Sequence, residues 1–138
     1  MKRYLIDKSK KVLVVKKDSI VDRHIKFDGK VIAGMYSNFW GNIEAKEVYL
    51  GKGCYVGGAI ICKKAVVGPY SKFSQILADG DVVILDRCTG NYIRARGDVK
   101  IRRGSAIKIV ESEGYIIIDG ASKLEKVSAR KVIASRED

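Results

Sequence analysis

Proline and histidine are almost missing from this sequence, with one of each in 138 residues. One proline beside fourteen glycines leaves many places to turn and no proline-rich linker. The single histidine, His24, has no cysteine or carboxylate constellation around it, and a structural role is expected for it. No apolar run approaches the roughly 18 residues of a membrane span. The opening stretch "MKRYLIDKSKK" has no long apolar segment of the signal-peptide kind, so a cytoplasmic protein is expected. Three cysteines, an odd number without an export signal, predict reduced thiols rather than a disulfide scaffold. No carboxylate pair stands out as general acid and base, since Asp79, Asp81, Asp86 and Asp98 fall at corners or outward positions. The "GKG" of residues 51 to 53 lacks the spacing and strand-to-helix setting of a phosphate loop. No enzyme activity, cofactor or metal is expected.

What is present fits one folded domain: 46% hydrophobic and 31% charged residues. Lys and Arg number 27 against 16 Asp and Glu, a net charge of +11, so an anionic surface or nucleic acid must be weighed as a partner. The charge is lopsided. Residues 1 to 30 carry ten basic and four acidic side chains, whereas 111 to 138 carry five and six.

A period of seventeen organises the rest. Stepping from Val48 gives Val14, Val31, Val48, Ala65, Val82, Val99, Ile116 and Ile133, all apolar. Two positions on stand Ala33, Leu50, Val67, Ile84, Ile101 and Ile118. Six after the start the column reads Ile20, Ser37, Cys54, Ser71, Cys88, Ser105 and Ser122. Two beyond it come Phe39, Val56, Phe73, Gly90, Ile107 and Leu124. A third pair closes each copy, as in Ile43 and Ala45, Ile60 and Cys62, Ile76 and Ala78, Ile93 and Ala95.

Pairs of apolar residues two apart carry the strand period, in segments of three to five residues. Gly34, Gly51, Gly68, Gly41, Gly58, Gly80, Gly97 and Gly114 separate them, at corners where positive φ is expected. Three short strands and three corners per repeat predict an all-β single domain, a parallel β-helix of six to seven rungs. Stacking buries each copy against its neighbours, so no single repeat is stable alone. The expected organisation is a basic N-terminal tail over 1–11, a β-helix core over 12–134 and a short polar C-terminal tail over 135–138. Cys54 and Cys88 share an inward column two rungs apart, about 9.6 Å, beyond disulfide reach.

One outward column is unusual. Between the inward residues of the first strand stand Val15, Ile32, Tyr49, Val66, Val83, Lys100, Ile117 and Ala134, apolar except for the lysine. Stacked rung on rung, they would form an exposed apolar stripe of the kind that marks an interaction face. Val127 and Ile133, near the C-terminal end, are expected at a strand edge open to another subunit. Lys2, Arg3, Lys8, Lys10 and Lys11 are candidates for contact with an anionic membrane surface, which would place the protein at the inner face of the cell membrane; the alternative for this stretch is a floppy tail or a strand that caps the first rung.

The phrases "G-x-I-x-A" (Gly41, Ile43, Ala45) and "V-x-L-G-x-x-C-x-V-x-G" (Val48 to Gly58), with their period, resemble the repeat of bactofilins, best from about 28 to 84. That resemblance implies a right-handed coil and a polymer-forming cytoskeletal protein that assembles without nucleotide, often on membranes, as a scaffold for other proteins. Homopolymer contacts are then the expected partnership, with no small-molecule substrate. Two alternatives stand beside it. The hexapeptide-repeat acyltransferase, a left-handed β-helix, is matched locally by Leu50, Val56 and Cys62, but three hexapeptides make eighteen residues and no histidine is placed as a base. A nucleic-acid binder is suggested by Arg94, Arg96, Lys100, Arg102 and Arg103, without interleaved exposed aromatics.

Overall fold

A computed structural model describes residues 3 to 135. The described chain has no helix. Its strands are β1 (Tyr4–Asp7), β2 (Val12–Val15), β3 (Ile20–Val21), β4 (Ile25–Ala33), β5 (Asn38–Phe39), β6 (Ile43–Leu50), β7 (Tyr55–Cys62) and β8 (Lys64–Val67). They continue as β9 (Lys72–Ala78), β10 (Val82–Ile84), β11 (Thr89–Ala95), β12 (Val99–Arg102), β13 (Ala106–Ser112), β14 (Tyr115–Asp119), β15 (Lys123–Ser128) and β16 (Lys131–Ser135). All neighbours pair in parallel except β1, which runs antiparallel to β2. The result is a β-solenoid of about seven turns and about 17 residues per turn.

Each turn has three faces. The first is built by β2, the second half of β4 and of β6, then β8, β10, β12, β14 and β16. The second is narrow: β3, β5 and the starts of β7, β9, β11, β13 and β15. The third uses the starts of β4 and β6 and the ends of β7, β9, β11, β13 and β15. Alternate side chains of every strand meet along the axis, so Val31, Val48, Ala65, Val82, Val99 and Ile116 are all fully buried, as are Ile43, Ile60, Ile76, Ile93 and Val110.

The turns are not all of one length, and this moves several residues. Leu13 pairs with Val31 and Val15 with Ala33, a step of 18, because β4 carries a register shift between Phe27 and Lys30. Val15 is therefore a core residue, 2% exposed, and not part of the outward stripe; Val14 takes its place. Ile20 likewise is 64% exposed, and Ser19 holds the buried position expected for it. At the other end Ile133 pairs with Ile117 and Ala134 with Ile118, a step of 16 that puts Ile133 in the outward column and Val132 beneath Ile116. In "VLVV" and "VIA" every candidate is apolar, so spacing alone could not register these strands.

The first eleven residues are not all tail. β1 folds back on β2, with Leu5 opposite Val14 and Asp7 opposite Val12. The Asp7 carboxylate closes the hairpin by accepting from the Ser9 and Lys10 amides and the Ser9 hydroxyl. The core thus begins at Tyr4, and β16 carries it to Ser135.

Corners are held by backbone and side-chain ladders. After the first face, Asp18, Tyr36, Gly53, Tyr70, Arg87 and Gly104 all have positive φ. The amide of each donates to a carbonyl of the following turn, as from Tyr36 to Lys52 and from Tyr70 to Asp86. None of the eight glycines expected to have positive φ has it; Gly34, Gly51 and Gly68 are glycine for another reason, since a Cβ on Gly34 would stand 2.5 Å from the Lys17 amide nitrogen and one on Gly68 2.5 Å from the Gly51 carbonyl carbon. His24 belongs to a corner ladder too. Its Nδ1 accepts from the Asn42 amide at 2.9 Å, and Asn42 Oδ1 accepts from the Ala59 amide at 2.8 Å.

Candidate functional site

The first face carries the apolar stripe in unbroken register: Val14, Ile32, Tyr49 and Val66 lie on successive turns, followed by Val83, Lys100, Ile117 and Ile133. Leu5, on the hairpin strand, extends the ladder one strand further and is 55% exposed. On one flank run Lys30, Glu47, Lys64, Asp81 and Asp98, one per turn. On the other run Gly34, Gly51 and Gly68, and their missing side chains leave the N-terminal half of the face flat.

Tyr49 is pinned within this surface. Its hydroxyl donates to Glu47 Oε1 at 2.5 Å and the Lys30 ammonium stands 5.2 Å from its ring centroid. The bond to Glu47, helped by partial burial, raises the phenol above its ordinary pKa. A tyrosine fixed this way offers apolar area at little further entropic cost on contact.

The solenoid ends form the second candidate surface. Among the described residues β15 and β16 are each paired on one side only. Val127 is 40% exposed and Val132 and Ile133 are comparably open. At the other end β1 covers β2, but among the described residues β3 pairs only with β5, and Ile25 to Phe27 pair only with β6.

The basic candidates are dispersed. Lys2 lies outside the described residues. Arg3 donates to the Asp18 carbonyl at 3.3 Å, and Lys11 pairs with Asp28 at 3.7 Å. Lys8 and Lys10 sit at the exposed hairpin turn, separated from Arg3 by the length of β1. The later arginines do not gather either. Arg102 lies between Asp86 and Asp119, and Arg96 between Asp79 and Glu113. Lys100 projects from the first face and Arg94 from the third.

An open groove of about 550 Å³ on the third face is lined by charges of both signs, including Lys26, Glu44, Lys63 and Asp79. Cys62 borders it but points inward, and burial pushes its thiol up to about 12. Cys88 is pushed to about 11 and Cys54 is raised, both by burial. All three are free and buried. Among the described residues no group of three metal-ligating side chains occurs.

Two consequences follow for the thiols. Native protein at pH 8 should resist a thiol probe for hours and label at once on denaturation, because the reactive species is the thiolate. The raised folded pKa values contribute stability that is intact below pH 9 and lost as pH rises from 9 toward about 12. Denaturant titrations should show stability falling above pH 9 by up to roughly 1.4 kcal/mol per pH unit per thiol. Cys62→Ala, which copies Ala45 and Ala78 of the same column, should flatten that fall; rapid native labelling would contradict the inward placement.

The sequence reading missed the glycine flank, the contribution of Leu5, and a second exposed cluster on the second face. There Ile20, Trp40 and Tyr55 are 64%, 62% and 43% exposed. The signal for Trp40 and Tyr55 was available, since each adjoins an inward residue; that for Ile20 was hidden by the longer first turn. No protein-family model, curated protein or solved structure matches this chain.

Proposed function

We propose that this protein is a structural scaffold that assembles into filaments by end-to-end stacking of its β-solenoid, without nucleotide. The observation that carries this is the terminal rung. Among the described residues, strands β15 and β16 present unpaired edges, with Val127, Val132 and Ile133 exposed beside them. A parallel rung in that state is a template for the next one, and a second molecule can continue the stack by β-augmentation at the strand spacing of about 4.8 Å. Turns of nearly constant length favour this, since the last rung of one chain and an open rung of another share their shape. The bactofilin-like phrases around Ile43, Ala45 and Val48 to Gly58 support the same reading. Scaffolded proteins would then bind the lateral faces, of which the first is the most apolar.

Electron microscopy of the purified protein in nucleotide-free buffer tests it. Unbranched filaments a few nanometres wide are the expected result. Val127→Arg, which places a charge at the open edge, should shorten or abolish them while thermal unfolding shifts little, because Val127 is already exposed. A wild-type chain that stays monomeric at high concentration across salt and pH would overturn the proposal.

A further inference from the structure

We infer that the first face is a self-complementary interface on which two copies of this chain pair side by side with their solenoid axes antiparallel. This pairing is lateral and does not rest on end-to-end stacking.

The flanking charges carry the inference. One per turn, in register, stand Lys30, Glu47, Lys64 and Asp81. Lay one copy on another with a two-fold axis along the strand direction, centred between the Tyr49 and Val66 turns. Lys30 then faces Asp81 of the other copy, and Glu47 faces Lys64. The two-fold repeats both contacts, so four opposite-charge pairs form and none of these four residues meets a like charge. Sliding by one turn destroys the match: one direction sets Glu47 against Asp81, the other Lys30 against Lys64. Parallel axes fail as well, because that two-fold lays the charged flank over Gly34, Gly51 and Gly68.

The centre of the face agrees with the same register. Ile32 meets Val83, Tyr49 meets Val66, and Leu5 of the hairpin meets Ile117, so apolar lies on apolar. On the glycine flank Gly51 meets Gly68, and Leu85 of one copy lies over the bare Gly34 of the other. Three details are less favourable: Val14 faces Lys100, Val12 faces Asp98, and Lys16 faces Arg102 near the margin. Arg102 is already neutralised by Asp86 and Asp119 at 3.2 and 3.5 Å.

Eight strands at about 4.8 Å by a strand about 16 Å long give a footprint of roughly 600 Å² per partner. A standard stable interface needs about 800 Å². A lone pair is therefore concentration-dependent, and many such contacts along aligned polymers would act together. Antiparallel pairing would also give a bundle no overall direction, since an isologous contact joins opposite orientations.

The test uses the full chain carrying Val127→Arg, which blocks the solenoid end and leaves the first face untouched, so failure of pairing is distinguishable from failure of stacking. Sedimentation equilibrium should show reversible dimers that weaken in high salt. Adding Glu47→Lys makes residue 47 repel Lys64 of the partner, and Lys64→Glu makes residue 64 repel Glu47, so each should weaken pairing at least about tenfold. An equimolar mixture of the two variants should dimerise again, because each supplies the charge the other lacks. Circular dichroism confirms that both fold, and the mixture itself controls for intrachain effects. Absence of dimers in the parent, unchanged dimers in the single variants, or no recovery in the mixture would each overturn the inference.

Discussion

Gly90→Val should destabilise this protein by more than about 3 kcal/mol and leave much of it unfolded at moderate temperature. Gly90 sits in the inward column of the second face, between Phe73 and Ile107. A Cβ placed on it would stand 2.2 Å from two atoms of the Phe73 ring. The ring is 4% exposed and has fully buried neighbours, so it cannot swing into solvent. Phe73 in effect occupies the volume of two turns, and the glycine is its counterpart. Phe73→Val, which copies Val56 of the same column, should by itself leave a cavity and cost about 1–3 kcal/mol. Combined with Gly90→Val it should recover most of the loss, a coupling detectable in a double-mutant cycle by denaturant unfolding. Additive single and double effects would show that the ring and the glycine do not share one space.

The second large effect concerns the column of small residues after the first corner. Ser71 is fully buried; its hydroxyl donates to the Gly51 carbonyl at 3.2 Å and accepts from the Cys54 amide at 3.1 Å. Ser105 and Ser122 repeat the pattern, donating to Leu85 and Arg102. Cys54 and Cys88 donate through sulfur to Gly34 and Gly68, both at 3.2 Å. Ser71→Val removes donor and acceptor at once and leaves two backbone groups unpaired in the core, at about 1–3 kcal/mol each. A loss of about 3 kcal/mol or more is expected in chemical denaturation. Ser71→Cys should cost under about 1.5 kcal/mol, because the thiol can make the bond its column neighbours make. Equal losses for the two variants would mean that volume rather than hydrogen bonding governs the column.

Both effects rest on columns visible in the sequence, where the period of seventeen placed Phe73 with Gly90 and Cys54 with Ser71. The chemistry within the columns was less visible. Nothing in the spacing says that a phenylalanine leans over the next turn, or that Ser and Cys are interchangeable because both reach a carbonyl twenty residues earlier.

The candidate surfaces divide the same way. Ile32, Tyr49, Val66, Val83 and Ile117 were legible as an outward stripe because alternation along a strand leaves no choice once the inward pair is known. Val15 was misplaced and Ile133 reassigned because each lies beyond a turn of altered length. The hairpin of β1 was not foreseen as part of the stripe, since antiparallel pairing at the first rung breaks the rule that holds for every later one.

The amino-acid sequence by itself determined the solenoid, its period and most of its core, because a repeat states its inward columns many times and one irregular copy cannot hide them. Tertiary structure alone decided the register of the first and last turns and the fold-back of Tyr4 to Asp7 onto β2. The reason is physical. One residue more or less at a corner costs little locally, yet it reverses which side of every following side chain meets the core until another corner corrects it.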